Sequence, residues 1–522
     1  MTQTACIVTN LTVEFGNKTM FKALNFSLYA NQITALIGRN GQGKSLLMHI
    51  LNQASTLNTP YTGQICWQMT HAYLAQLQRL NASTIAEALG VFDLYQAFHR
   101  VELGIASFED YEKLEHQWHL PHQWSIQLNA AQLPTDLDFP VQALSEGEKT
   151  KLALCALFLK PNHYLLLDEP SNHLDSAARD WLISQLKSHP AGACIISHDR
   201  TLLQHAEHIY YLNQHGLQHS TGNYEIFSEQ YQKNTIALEK NIQHKEKEIK
   251  QIKLQQQQMQ HKAQKREKQG EKIRHNHAQA KVILDFKKER ASQSIAATQA
   301  QQQRQMQIER NDLNTHQQLL ETIKPQQFQF LDGQFQSGEV LRVNNLKLPY
   351  GSTQCINFAL HAGEKIHVSG RNGIGKSTLL KQITQPNPNI YIARPYFYLD
   401  QNFSFLQNDL TVLENLNRIN PEITPTQWRN LLGQLRIRGD QSTYALSCLS
   451  GGEKLKVALL GLSHLSPHPE ILLLDEPENH LDIESREMLA QAIRSYRGCV
   501  ILISHDPHFV EACGIKDVLR MN

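Results

Sequence analysis

An internal duplication is what most limits the folds open to this chain. GRNGQGKS at residues 38–45 returns as GRNGIGKS at 370–377, and YLAQ ending at Gln76 returns as YLDQ ending at Gln401. LSEGEK at 144–149 returns as LSGGEK at 449–454, and LLLDEPSNHLD at 165–175 as LLLDEPENHLD at 472–482. IISHD at 195–199 returns as LISHD at 502–506. Five blocks in one order, twice over, require two copies of one domain. The offset between copies is 332 residues at the first block, 325 at the second, 305 at the third and 307 at the last two. The first copy therefore holds about 20 more residues between Gln76 and Leu144. Apolar residues there recur at three- and four-residue spacing, which predicts a helical subdomain over residues 77–143.

Each copy opens with strand signals, at 6–15, 26–29 and 33–37 in the first and at 340–346, 358–360 and 365–369 in the second. The last of each set runs into a glycine-rich turn and then a helix, the context a phosphate loop needs. The later LLLDEP, CIIS and VILIS runs read as buried parallel strands. The predicted fold class is α/β, two phosphate-loop ATPase domains joined by a long α-helical hairpin linker.

The glycine-rich loop aims consecutive backbone N–H groups at a phosphate chain from a helix N-terminus, where the dipole favours anions. Gly38, Arg39, Asn40, Gly41, Gln42, Gly43, Lys44 and Ser45 form one such loop. Gly370, Arg371, Asn372, Gly373, Ile374, Gly375, Lys376, Ser377 and Thr378 form the other. Lys44 and Lys376 are expected to reach the β- and γ-phosphates of ATP, and the Ser45 and Ser377 hydroxyls to ligate Mg²⁺. Asp168 and Asp475 end apolar strands, where a carboxylate holds the metal. Glu169 and Glu476 follow and are placed to polarise the attacking water. His198 and His505, each in an SHD triplet after a buried strand, are expected to touch the γ-phosphate.

Between the copies lies a stretch rich in Gln, Lys and Glu and free of proline until Pro325. From Lys233 to Lys324 it holds 19 Lys plus Arg against 10 Asp plus Glu, while the whole chain is only +1. A basic rod joining two mildly acidic bodies points to a polyanion partner. Leu238, Ile242, Ile249, Ile252 and Met259 follow a heptad seam, as do Met306, Leu313, Leu320 and Ile323 on the way back. Two arms of ~40 residues would extend ~60 Å. The tip is expected at 262–290, where Lys265, Arg266, Lys268, Lys272, Arg274, Lys281, Lys287, Lys288 and Arg290 crowd around an apolar Val282, Ile283 and Leu284. Structured RNA, read through phosphates, 2′-hydroxyls and shape, suits such a tip. The expected domains are 1–228, the linker 229–326, and 327–522.

Taken together, the phosphate loop, the Gln, LSGGE, LLLDEP, the HLD turn and SHD resemble the ATP-binding cassette (ABC) ATPases, over roughly four-fifths of the chain. In that family two cassettes close head to tail over ATP. The resemblance implies one site made of residues 38–45, Glu169 and His198 with Ser450, Gly451 and Gly452 of the other copy. It implies a second made of residues 370–377, Glu476 and His505 with Ser145, Glu146 and Gly147. It also places Gln76 and Gln401 beside the magnesium, and Phe15 and Tyr350 against adenine. Glu146 departs from the pattern, standing where the family has the first glycine of its GG pair, and Leu46 stands where the second copy keeps Thr378.

Two cassettes on one chain, DEPxNHLD in both and a basic helical linker resemble the ABC-F family. That likeness implies a cytoplasmic, monomeric translation or antibiotic-resistance factor whose cassettes pair within the chain. Its partner would be the ribosome, the linker meeting large-subunit rRNA and the P-site tRNA. The alternative is an ATPase subunit serving a separate membrane permease. No apolar run approaches the ~18 residues of a membrane span, and the N-terminus lacks a secretion signal. The eight cysteines show no metal-ligand spacing, as expected of reduced thiols.

Overall fold

The computed structural model describes residues 3–15, 18–52, 60–75, 82–172, 174–275, 300–301, 303–317, 320, 328–330, 337–352, 354–479 and 481–521. The chain divides into two compact units, Met1–Glu225 with Gln326–Asn522, and Ile226–Pro325.

The first unit holds both copies. Each is built on a mostly parallel sheet whose strands are too apolar to be half-exposed. In the first copy the order is His71–Leu74, Tyr164–Asp168, Ala193–Ile196, Ile33–Gly38, His208–Asn213 and Gly216–Thr221, only the last pair running antiparallel. In the second copy the order is Tyr396–Leu399, Ile471–Asp475, Cys499–Ile503, Lys365–Ser369 and Asp517–Arg520, all parallel. The runs LLLD and ILLLD are buried at every position because helices cover both faces of such a sheet. Each phosphate loop leaves a central strand at its carboxyl end, where open α/β sheets place their ligands. A three-stranded antiparallel sheet flanks each core, Lys18–Tyr29, Thr4–Phe15 and Tyr61–Trp67 in the first copy.

The expected difference in helical content has a concrete form. Between the second and third sequence blocks the first copy has helices at Ile85–Leu89, Phe92–Glu102, Phe108–Leu114 and Leu120–Ala130. The second copy has two, Val412–Ile419 and Pro425–Gln434. Phe98, Leu114 and Trp124 give the longer bundle its own small core.

The second unit contains the linker. One helix, Tyr224–His275, runs for 52 residues, ~78 Å at 1.5 Å per residue, longer than the arm expected from sequence. It starts earlier because no Gly or Pro interrupts it after Gly222 until Gly270. Residues 303–317 return as helix. Lys245 bonds Glu309 at 2.9 Å and Asp312 at 3.1 Å, and Gln317 donates to Glu246 at 3.3 Å, so the two arms lie side by side at this level. Ile242 and Ile249 are buried on the expected seam, whereas Ile236 and Leu254, off it, are exposed. Met259 is 41% exposed, so burial along the seam fades distally.

Candidate active sites

Both phosphate loops take the same shape. Gly43, the N-cap of helix Lys44–Leu51, has φ 87°, and a Cβ there would lie 2.8 Å from the Phe21 ring, so only glycine fits. Lys44 Nζ donates to the carbonyls of Gly38 at 2.7 Å and Arg39 at 3.1 Å; Lys376 repeats this with Gly370 at 2.8 Å and Arg371 at 3.1 Å. Burial pulls both lysines below their ordinary pKa, opposed by the acids around them. Those acids include Asp482 for Lys44 and Asp175 for Lys376, each from the other copy.

Asp168 and Asp475 sit at the ends of their strands, buried beside the loop serines. Ser377 Oγ donates to Asp475 Oδ1 at 2.9 Å, and the Tyr398 hydroxyl donates to Oδ2 at 2.9 Å. Asp168 lies beside Ser45, which pulls its pKa down against the larger rise from burial, and its buried Oδ1 has no hydrogen-bond partner among the described residues. A hydroxyl and a carboxylate with spare acceptor capacity, below an anion cradle, suit a hard divalent cation such as Mg²⁺.

The adjoining glutamates occupy left-handed backbone, φ 52° at Glu169 and 47° at Glu476. Non-glycine residues avoid this region, and such strain concentrates at functional positions. Nε2 of His198 approaches Glu169 Oε1 at 3.3 Å, and Nε2 of His505 approaches Glu476 Oε1 at 3.4 Å. The two pairs differ electrostatically. Burial pushes Glu169 up to about 7 and, with the Lys44 and Arg486 charges, holds His198 well below its ordinary value, so the imidazole is favoured neutral and an ion pair between the two is disfavoured. Burial also acts on Glu476, but His505, Asn479 at 2.7 Å and the Lys376 charge outweigh it and leave the carboxyl below its usual pKa. Gln401 donates to Glu476 Oε2 at 2.9 Å, the oxygen that Asn479 also bonds.

Across the copies, Asp482 Oδ2 accepts from the Asn40 N–H at 2.8 Å, and Arg39 Nε meets Glu484 at 2.7 Å. Arg200 pairs with Glu487 nearby. Ser450 caps helix Gly451–Ser463, the LSGGE helix, and a Cβ on Gly452 would lie 2.5 Å from Ser485 Oγ. That helix is thus packed onto the Asp482 turn that touches the first phosphate loop. Ser145 caps the matching helix Glu146–Phe158, and Glu146 is turned outward and paired with Lys149 at 2.9 Å. The position matching Glu484 is Ala177, which cannot pair with Arg371; instead Asp175, Ser176, Ala177, Arg371 and His505 line a cavity of about 1060 Å³.

Not every expected position is described. Gln76 lies outside the described residues, as do Lys281, Lys287, Lys288 and Arg290 at the expected linker tip. Phe15 ends its strand, but its side chain lies outside them, as do those of Arg266, Lys272 and Arg274. Lys265 and Lys268 are exposed on the long helix. Tyr350 is 80% exposed, with its carbonyl against Gly375. Sequence reasoning missed Arg39–Glu484, Tyr398, Arg179 and Arg486. A signal for the last two was present, because both arginines sit four residues after the HLD aspartate in their copy.

Residues 21–172 and 353–479 match the ABC transporter family. The putative ATP-binding protein YdiF of Bacillus subtilis is 30% identical over 96% of this chain and 78% of its own length. The probable ATP-binding protein YheS of Escherichia coli K12 is 28% identical over 97% and 77%. The ribosome protection protein VmlR of Bacillus subtilis is 27% identical over 97% and 84%. A chain in the crystal structure of the archaeal stalk protein aP1 with the archaeal recycling factor aABCE1 has TM-score 0.51 and 17% identity, covering 98% of this chain and 87% of its own, a likeness of fold. Among the described residues no helix is long and apolar enough to cross a membrane. With both copies matched and kinship along nearly the whole chain, the protein belongs to the ABC ATPases, as a tandem-cassette member of the ABC-F type that hydrolyses ATP.

Proposed function

We propose that this ATPase is a cytoplasmic ribosome-associated factor whose ATP-driven cassette pairing presents the basic linker to large-subunit rRNA and the P-site tRNA, near the peptidyl-transferase region. One observation carries the reading: two apposed helical arms, held by Lys245 to Glu309 and Asp312, in a segment of 19 basic against 10 acidic residues. Phosphate-rich, folded RNA is the partner such charge selects. The likeness to a ribosome protection protein supports it. The working units are 1–228 and 327–522 as cassettes and 229–326 as linker.

At each site the loop amides and Lys44 or Lys376 hold the phosphates. Glu169 or Glu476 orients the attacking water and accepts its proton, and His198 or His505 bonds the γ-phosphate. Ser45 and Asp168, or Ser377 and Asp475, with Gln76 and Gln401 alongside, would hold Mg²⁺, which would supply neutralisation of the developing charge. Ser450, Gly451 and Gly452 complete the first site, and Ser145, Glu146 and Gly147 the second.

A Glu169→Gln, Glu476→Gln chain with ATP should co-sediment with ribosomes in a sucrose gradient. Replacing Lys265, Arg266, Lys268 and Lys272 with Gln should flatten the salt dependence of that association by up to ~3 in log–log slope. Recovery of the double variant in the free fraction alone, or with membranes, overturns the reading.

A further inference from the structure

Resting on the reading of Glu169 with His198 and Glu476 with His505 as the hydrolytic groups, we propose that Arg486 and Arg179 are positioning residues acting in trans. Each fixes, from one copy, the backbone of the loop that carries His198 or His505 in the other.

The two arginines occupy matched places on helices Ser176–Ser188 and Ile483–Ser495, whose N-caps are Asp175 and Asp482. Arg486 Nη1 donates to the His198 carbonyl at 3.2 Å, in the other copy, and to Asp506 Oδ2 at 3.3 Å in its own. Arg179 Nη1 donates to the His505 carbonyl at 3.0 Å, and its Nε lies 3.3 Å from Asp199 Oδ2. Arg486 Nε is further tied to the Leu481 carbonyl at 3.1 Å, which fixes the approach of the guanidinium.

Asp199 and Asp506 follow the histidines directly and each does two things. Through Oδ1 they accept from backbone N–H groups of the next turn, Thr201 for Asp199, His508 and Phe509 for Asp506. Through Oδ2 they face the arginines. The contacts close a circuit, from His198 through Arg486 to Asp506 and His505, then through Arg179 to Asp199 and back to His198. Its members are largely withdrawn from water, with side chains 15% and 17% exposed for the arginines and 7% and 6% for the aspartates. Charged groups at that depth resist losing a partner, so each histidine loop is held where the arginine of the opposite copy places it. A fork of guanidinium donors spanning two acceptors is suited to this, and a lysine is not.

A purely local role predicts something different, because an arginine that only braced its own copy would damage that copy's site. The discriminating measurement is single-turnover ATP hydrolysis in chains where one site is disabled. With Glu476→Gln, leaving the Glu169 site active, Arg486→Gln should slow hydrolysis ~10-fold. With Glu169→Gln, leaving the Glu476 site active, the same change should cost less than ~2-fold. Arg179→Gln should show the reverse, and Arg486→Lys, kept as a folding control, should show the same site preference in weaker form. Equal losses at both sites, or loss confined to the arginine's own copy, overturn the proposal. If the Glu→Gln chains themselves turn over at full rate at both sites, the hydrolytic assignment fails first and the positioning role with it.

Discussion

Asp482 Oδ2 accepts a hydrogen bond of 2.8 Å from the backbone N–H of Asn40, while its Oδ1 caps its own helix through Ser485 N at 2.8 Å. One carboxylate thus ties a helix N-terminus of the second copy to the phosphate loop of the first. Asn caps helices about as well as Asp, but its amide presents only one acceptor. Asp482→Asn should therefore keep the helix and lose the bond to Asn40. ATP affinity at that site should fall ~10-fold, with Tm moving by less than ~2 °C. Titration of ATP in the Glu476→Gln chain reads the first quantity and a thermal scan the second. Unchanged affinity would show the bond to be incidental.

The two interfaces are not equal, because Glu484 reaches Arg39 at 2.7 Å whereas its counterpart is Ala177. Burial, against the pull of Arg39, pushes Glu484 up to about 7, so this latch strengthens as the carboxyl ionises above neutrality. Glu484→Ala should raise the KM for ATP a few-fold at the site holding Arg39 and leave the other site unchanged. The effect should be larger at pH 8 than at pH 6. A pH-independent effect, or one on both sites alike, would count against the latch.

How far these features were legible in the sequence follows from how local they are. The phosphate loops, the Asp-Glu pairs and SHD are contiguous, and each was read in place with its strand or helix. Arg39 and Glu484 stand 445 residues apart, and nothing in either segment alone announces the contact. The first antiparallel sheet was under-read for another reason. Strand Lys18–Tyr29 was expected only at 26–29, because Ala23 has φ 50° and the register shifts around Leu24, which breaks the period-two alternation of a strand. The linker seam was legible since a heptad is a short-range pattern, and the early helix start carried a signal too, Tyr224, Phe227 and Tyr231 at three- and four-residue spacing, which a boundary at 229 cuts across.

Glu478 is a carboxylate the first copy lacks, with Ser171 at the matched place. It is 3% exposed, Ser504 donates to one oxygen, and the other has no partner among the described residues. Burial pushes it up to about 7 from an unfolded value of 4.5. Between those values the folded chain holds a proton that the unfolded chain releases. The stabilisation is therefore full below 4.5 and drains away as pH rises through 7. The loss amounts to something on the order of 3 kcal/mol at pH 8. Glu478→Gln should be more stable than the parent at pH 8, with the gain shrinking to ~1 kcal/mol or less at pH 5, as read by urea unfolding. A gain of equal size at both pH values would place the effect in packing and not in ionisation.

The linker arms offer the last test, since their pairing has to come from packing where the surface pairs are wet. Ile242 and Ile249 are 7% exposed on a helix that is otherwise mostly polar. Exposed ion pairs contribute little, whereas an Ile→Ala change at a buried position costs ~2–5 kcal/mol. Ile249→Ala should thus open the arms more than Lys245→Ala does, although Lys245 holds both Glu309 and Asp312. Hydrogen exchange of residues 303–317 should speed up at least tenfold in the first variant and only slightly in the second. Should Lys245→Ala prove the more damaging, the arms are held by charge, and high salt alone should separate them.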